Sequence, residues 1–567
     1  MAASANTSTA SERLERPSVN GWGIVSSNEA KRRLEGAELL VNYSEYFNQG
    51  DFQLTLAFPF KTDIDVTTLE KRFPAAIWIA RTLLPELGTS TVSSVSSSSE
   101  VDLDHATFEA IKTLDEALGW LDQSAFVVHG ARSFQEVCDK TSNERIEPAG
   151  KHFRAYLVLN PKSGPSAFVL NVSHVLNGHR LLYQAQNILQ SLFHPVFSEQ
   201  SSRCSRAAPS DTARAQIELV KAVFKPEDLK RVLPQLPQSL SHAYKSRFQP
   251  GTEQLKISSQ KLAQRLENDA KPTIGIRGFN HVLTSLRDDV RPMVNLRRSF
   301  SRQEQERFRV QCKRNKATIS SYVYAAIVKA TDQVTATFDS SGNGQMAQGA
   351  HLTFPAHASR WLPGETANHA RSVVTMAIAP ASVYLSSEDV RPSSSGSLEQ
   401  SDLQEAQVQD TFRLARMLGT KQNEYLESPH MLGFLDMLGQ AGAEGISNNA
   451  EALAKGSTAV SPNPSFSTPT LTSQGIFDIA KDYPLATSEQ KESSTSASSA
   501  SRWLQLIDVV QYGRATSPSV CFSLYSFDGR LNLMVHFDER RFDRGVVTAV
   551  LDKVCDLIAP CCHAALL

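Results

Sequence analysis

Ser173-His174-Val175-Leu176-Asn177-Gly178-His179-Arg180 is the stretch whose reading decides the fold. Before it, Phe168, Leu170, Val172 and His174 alternate with Val169, Asn171 and Ser173, the period-2 pattern of a strand. After it, Leu181, Ala185, Ile188, Leu189 and Leu192 recur at helical spacing. The expectation is a strand ended by His174, a tight Asn177-Gly178 turn, and a departing helix. A histidine so placed has its ring held by the scaffold and its tip free, and its ordinary pKa near neutrality suits it to accept a proton. Two other readings stand beside this one. The histidine is structural, or His174 and His179 are metal ligands, although no Cys, Asp or Glu lies near enough in sequence to complete such a site.

Composition narrows the class. The chain has 567 residues, of which 41% are hydrophobic and 21% charged, enough to bury a large core in two or more domains. A net charge of −1, with acids and bases interspersed, lacks the basic face of a nucleic-acid binder, so no nucleic-acid partner is expected. The seven cysteines are scattered without motif spacing and read as reduced thiols of an intracellular protein. Residues 1–16 lack the apolar centre of an export signal, and no apolar run approaches membrane-spanning length. The chain ends Ala565-Leu566-Leu567 rather than in a Ser-Lys-Leu peroxisomal address. A cytoplasmic monomer is the expectation, with a peroxisomal location as the alternative.

Local patterns give a mixed α/β order. Residues 52–58 read as a strand, and Thr67 with Glu70 as a capping box opening a helix through Leu69, Phe73, Ile77, Ala80 and Leu84, which Pro74 should kink. Residues 153–159 and 167–174 read as strands. Ser301 with Glu304 opens a further helix, and residues 318–330 form another. Strands at 520–525 and 531–537 flank Asp528-Gly529, a hairpin signal, and a last helix carries Val546, Val550, Val554 and Leu557. Residues 88–100 hold a serine run, 198–215 are polar and small, and 386–409 and 487–501 are rich in Ser, Glu and Gln; all four read as surface insertions.

In this order the elements resemble the superfamily of CoA-dependent acyltransferases that includes chloramphenicol acetyltransferase and the condensation domains of peptide synthetases. The fungal branch of trichothecene O-acetyltransferases, which also holds glycolipid acyltransferases of mannosylerythritol lipid synthesis, is the nearest in appearance. The resemblance runs from about residue 39 to 557. It rests on residues 52–87, on residues 170–178, on Phe300-Ser301-Arg302-Gln303-Glu304 leading into residues 317–326, on Pro469-Thr470-Leu471-Thr472-Ser473-Gln474-Gly475, and on the terminal hairpin. The stretch 174–178 is similar to the family's His-x-x-x-Asp-Gly motif, with one residue fewer and Asn177 in place of Asp. Aligning the Asn-Gly pair instead would put Ser173 at the histidine position. Keeping His174 in register shortens the turn and preserves the apolar face of the strand.

The resemblance implies two chloramphenicol acetyltransferase-like lobes around a channel: a disordered N-terminus (1–20), a first lobe (21–250) and a second lobe (251–567) with insertions at 386–409 and 487–501. It implies an O-acyltransferase that takes acyl-CoA as co-substrate, without other cofactor or metal, and a hydroxylated small-molecule or glycolipid acceptor. His174 would be the general base and Asn177 would shape its turn. Gly178, Ser473 and Arg360 would face substrate, though Ser473 also reads as ordinary turn chemistry and Arg360 as half of a structural ion pair. His357 and His179 read as packed or exposed. A condensation-type enzyme with a carrier-bound donor, and a non-catalytic binding protein of the same fold, are the alternatives.

Overall fold

The computed structural model describes residues 20–94, 101–147, 150–177, 180–197, 212–245, scattered positions in 253–267, and 273–278. It further describes 293–338, 349–357, 378–391, 400–426, 431–454, 466–485, 503–516 and 519–563. The mixed α/β expectation holds, and the two lobes are organised around two sheets.

The first sheet is centred on strand Leu54–Thr62. Ser166–Val172 pairs antiparallel with it, then Phe153–Leu159 antiparallel, then Ala125–His129 parallel. The inner face carries Leu56, Phe58, Phe168, Leu170 and Leu157 against helix Val66–Leu83, whose Leu69, Phe73, Ile77 and Trp78 are buried. That helix is capped by Asp65, which accepts from the Thr68 amide at 2.7 Å, and not by Thr67. The side chain nearest the true first turn took the cap. The helix continues through Pro74. Proline removes the donor that would serve the Glu70 carbonyl, and the Gln216 side-chain amide donates to that carbonyl instead at 3.1 Å.

The second sheet runs Met293–Phe300, Arg530–Asp538, Cys521–Phe527, Thr470–Ile476, the last pair parallel. Its hairpin turns at Asp528 (φ 48°) and Gly529 (φ 71°), the left-handed pair that an Asp-Gly turn supplies. Helix Ile319–Phe338 is apolar on every side between Tyr322 and Val328 and lies within the core of this lobe. Helix Arg302–Arg314 starts with the expected Ser301–Glu304 capping box. Helix Arg544–His563 closes the lobe, burying Cys561 and Cys562. The six described cysteines are all unpaired.

The division at 250/251 does not coincide with sheet membership. Asp482–Tyr483, Leu504–Leu506 and Val510–Gly513, all from the second half of the chain, join the first sheet, the last two pairing with Leu54–Thr62. Strand pairing between Leu54–Thr62 and residues 504–513 leaves no local trace in sequence, because each partner reads only as a short apolar run. The 386–409 stretch is also only partly a loop. Ser387–Val390 and the start of helix Gln400–Leu426 fall within it, because Glu and Gln suit helices as readily as loops and Phe412, Leu414, Ala415 and Leu418 bury one face farther along. Most of the 198–215 stretch and all of 487–501 lie outside the described residues.

Candidate active site

Strand Ser166–Val172 stops one residue before Ser173, and His174 opens a helical turn, His174–Asn177, instead of ending the strand. The strand stops there because Ser173 turns its hydroxyl to local work. Its amide still donates to the His152 carbonyl at 2.9 Å, while its Oγ accepts from the Val175 amide at 3.1 Å. That is a serine cap, which favours a turn over further pairing. Gly178 and the side chain of Asn177 lie outside the described residues, as do His179 and Arg360.

A four-residue turn leaves its first amides without internal acceptors. Here the Val175 amide is met by Ser173 and the His174 amide from another element. Glu45, near the end of helix Ala37–Phe47, accepts through Oε1 from the His174 amide at 2.8 Å and from Ser173 Oγ at 2.8 Å. Its Oε2 lies 3.5 Å from Gln53 Nε2. Burial pushes the Glu45 carboxyl up to about 8, with Asp51 adding to the rise and the three hydrogen bonds opposing it. At neutral pH the group is therefore a protonated acid whose carbonyl oxygen accepts. Nothing in sequence marked Glu45. It stands 129 residues from His174 in an ordinary amphipathic helix.

His174 is half-buried, and its Nδ1 is buried with no hydrogen-bonding partner of good geometry among the described residues. Burial lowers the pKa of the ring below its ordinary 6.5, opposed by the nearby carbonyl of His174 itself. The ring is neutral at physiological pH, the form a general base needs.

The far end of the loop is tied equally firmly. Arg180 Nη2 lies 2.9 Å from Glu86 Oε1, both side chains nearly inaccessible, and Gln184 Nε2 donates to the same oxygen at 3.4 Å. Helix Leu181–Ser191 follows, burying Leu181, Ala185, Ile188 and Leu189 as its periodicity predicts. The resemblance left open how a motif with Asn177 would manage without the family's carboxylate. In this chain the arginine beside the turn has its acid in Glu86.

Ser473 sits on strand Thr470–Ile476, just before the register shift at Gly475 (φ 71°). It is exposed, and its hydroxyl lies 2.6 Å from Ser320 Oγ, one residue into helix Ile319–Phe338. The structure thus gives Ser473 a partner in the second lobe and, among the described residues, no bond to the His174 turn. At the end of the helix that presents Glu45, a cavity of about 230 Å³ is lined by Phe47, Asn48, Gly442, Ile446 and Asn449 among others. Its far wall belongs to helix Met431–Ala454, which the sequence reading did not anticipate.

No family model matches the chain. Its sequence is 39% identical over 545 residues to the acyl-CoA-dependent acyltransferase MAC2 of Pseudozyma antarctica, covering 94% of this chain and 95% of that protein. The chain belongs to the acyl-CoA-dependent acyltransferase family. The acyl-CoA-dependent acyltransferase MAC1 of Mycosarcoma maydis is 22% identical, with 96% and 90% covered. Among solved structures, the TRI3 trichothecene 15-O-acetyltransferase from Fusarium sporotrichioides superposes with a TM-score of 0.67 at 15% identity, covering 95% of this chain and 97% of that one. The starter condensation domain of rhizomide synthetase RzmA, in complex with C8-CoA, gives 0.52 at 10% identity, with 94% and 95% covered. At those identities the two structures speak to the fold, and they share the two-lobed acyltransferase architecture. Among the described residues of this acyltransferase, no helix is long and apolar enough to cross a membrane.

Proposed function

We propose that the chain transfers an acyl group from acyl-CoA to a hydroxyl of a glycolipid or hydroxylated secondary metabolite, with His174 as the general base. The observation that carries this reading is the state of His174. It is a neutral, half-buried imidazole on a turn whose amides and flanking arginine are held by buried partners.

His174 takes the proton of the acceptor hydroxyl as its oxygen attacks the thioester carbonyl. The tetrahedral oxyanion needs donors aimed at it. Asn177, the nearby backbone N–H groups and Ser473 are the candidates for that role, with Gly178, Ser473 and Arg360 as candidates for contact with substrate. Collapse breaks the carbon–sulfur bond, and the thiolate of CoA recovers the proton from the imidazolium. The thioester is already activated, so no acyl-enzyme is required. The family relationship supports the donor, and the resemblance to glycolipid and secondary-metabolite acyltransferases supports the acceptor class.

The test is release of free CoA thiol from a panel of acyl-CoAs with hydroxylated acceptors, run on the wild type and on His174→Ala. Acceptor-dependent release that falls by about 10² to 10⁴ in the variant supports the reading. Release unaffected by the substitution refutes the base. No release from any acyl-CoA, with transfer from a carrier-bound donor, moves the assignment to a condensation-type enzyme.

A further inference from the structure

We propose that Glu45 is a positioning residue for acyl transfer, its carboxyl group holding the His174 amide and the Ser173 hydroxyl so that the turn presents the imidazole at one angle. This rests on the reading of His174 as base. The argument is geometric. A turn as short as His174–Asn177 has too few internal bonds to hold its own shape. Its second amide is met by Ser173 and its first by Glu45, and one oxygen, Glu45 Oε1, receives both the amide and the serine hydroxyl. Loss of that oxygen would release the two residues that set the backbone at His174.

The anchor is itself anchored. Helix Ala37–Phe47 is pinned at its start by the buried Arg32–Glu38 pair at 2.8 Å. In its middle, Asn42 donates to the carbonyls of Thr91 and Leu103 at 3.0 and 2.8 Å. Helix Met431–Ala454 lies so close to it that a Cβ on Gly439 would collide with the Gly36 carbonyl oxygen. Beyond Glu45, Asp51 accepts from Ser44 Oγ at 3.1 Å and from the Thr516 amide at 2.9 Å, joining the helix end to the segment that follows strand Val510–Gly513. A carboxyl group on so fixed a helix acts as a rigid strut rather than a mobile surface acid. Because the acid is protonated at neutral pH, reach and acceptor geometry matter, and charge does not.

That distinction sets the test. The full-length wild type, H174A, E45A, E45D and E45Q are assayed with octanoyl-CoA and n-octyl glucoside, reading free thiol, after melting curves establish that each is folded. Glutamine keeps the length and the carbonyl acceptor. Aspartate keeps the charge type and withdraws the acceptor by one methylene. The expected result is a fall in kcat of about tenfold or more for E45A and E45D, since displacements near 1 Å have effects up to about 10²-fold. KM for octanoyl-CoA stays within about threefold, and E45Q recovers at least about a third of the wild-type kcat. E45D carries the comparison if E45A does not fold. Wild-type kcat in E45D beside an inactive H174A overturns the role of Glu45 and leaves the base standing. An active E45D with an inactive E45Q also overturns it, since charge would then be what counts. Full activity in H174A overturns the base reading itself.

Discussion

The half-buried acid at position 45 should make the stability of this protein depend on pH in a direction opposite to that of its buried histidines. A carboxyl group raised from 4.5 to about 8 in the folded state binds its proton more tightly there than in the unfolded chain. Between those two values the folded state holds more protons, so stability falls as pH rises. The contribution is fully present below pH 4.5 and lost by the time pH passes 8. At about 1.36 kcal/mol per pH unit the ceiling is about 5 kcal/mol. Glu45 keeps some solvent exposure, and screening reduces the expected effect to about 2–3 kcal/mol.

The measurement is urea unfolding of the wild type and Glu45→Gln at intervals from pH 5 to 9, compared as a difference at each pH. Subtraction removes groups common to both proteins. These include His152 and His536, which burial pushes down to about 3 and about 4 and which cost stability as pH falls below 6.5. The wild type should lose about 2–3 kcal/mol relative to the glutamine variant between pH 5 and 9. A difference that stays flat, or a wild type that gains stability relative to the glutamine variant as pH rises, would mean the carboxyl is ionised in the folded state. The protonated-acid account of Glu45 would then be wrong.

Three further outcomes are expected. The acid limb of kcat/KM should have its midpoint below 6.5, because burial lowers the His174 pKa and only the neutral ring accepts a proton; a midpoint above 6.5 in a rate profile would contradict the assignment. Arg180→Met should destabilise the protein by about 3–5 kcal/mol in urea titrations, since it strands the buried Glu86 carboxylate, and adding Glu86→Gln should restore part of the loss. Gly439→Ala should lower stability by about 1–3 kcal/mol by driving a methyl group into the Gly36 carbonyl; an unchanged melting curve would show that the two helices separate freely.

How much of this could be read from the chain follows from how far apart the cooperating residues lie. The helix at Leu181–Ser191, the Ser301 cap and the Asp528-Gly529 hairpin are each decided by residues within one or two turns of one another. Their spacing carries the information, and the structure agrees with it. The Thr67 assignment fails at the same scale for a simple reason: Asp65 and Thr67 are both capping types, and only the backbone path distinguishes them. The pairing of 504–513 into the first sheet and the seat of helix Met431–Ala454 against helix Ala37–Phe47 depend on partners hundreds of residues away.

The site divides along the same line. His174 was visible because a strand pattern and a helix pattern meet beside it. Glu45 and Glu86 were not, because a buried acid in a helix and one in a short turn look like solvated charges until the fold removes the water. Candidate residues for the chemistry of such a site can be found from local pattern. The residues that hold them in place are defined by burial, and burial is a property of the assembled chain. It follows that substitutions at Glu45, far from any motif, and at Arg180, at the end of the motif stretch, are expected to reach the reaction through the His174 turn they support from either end.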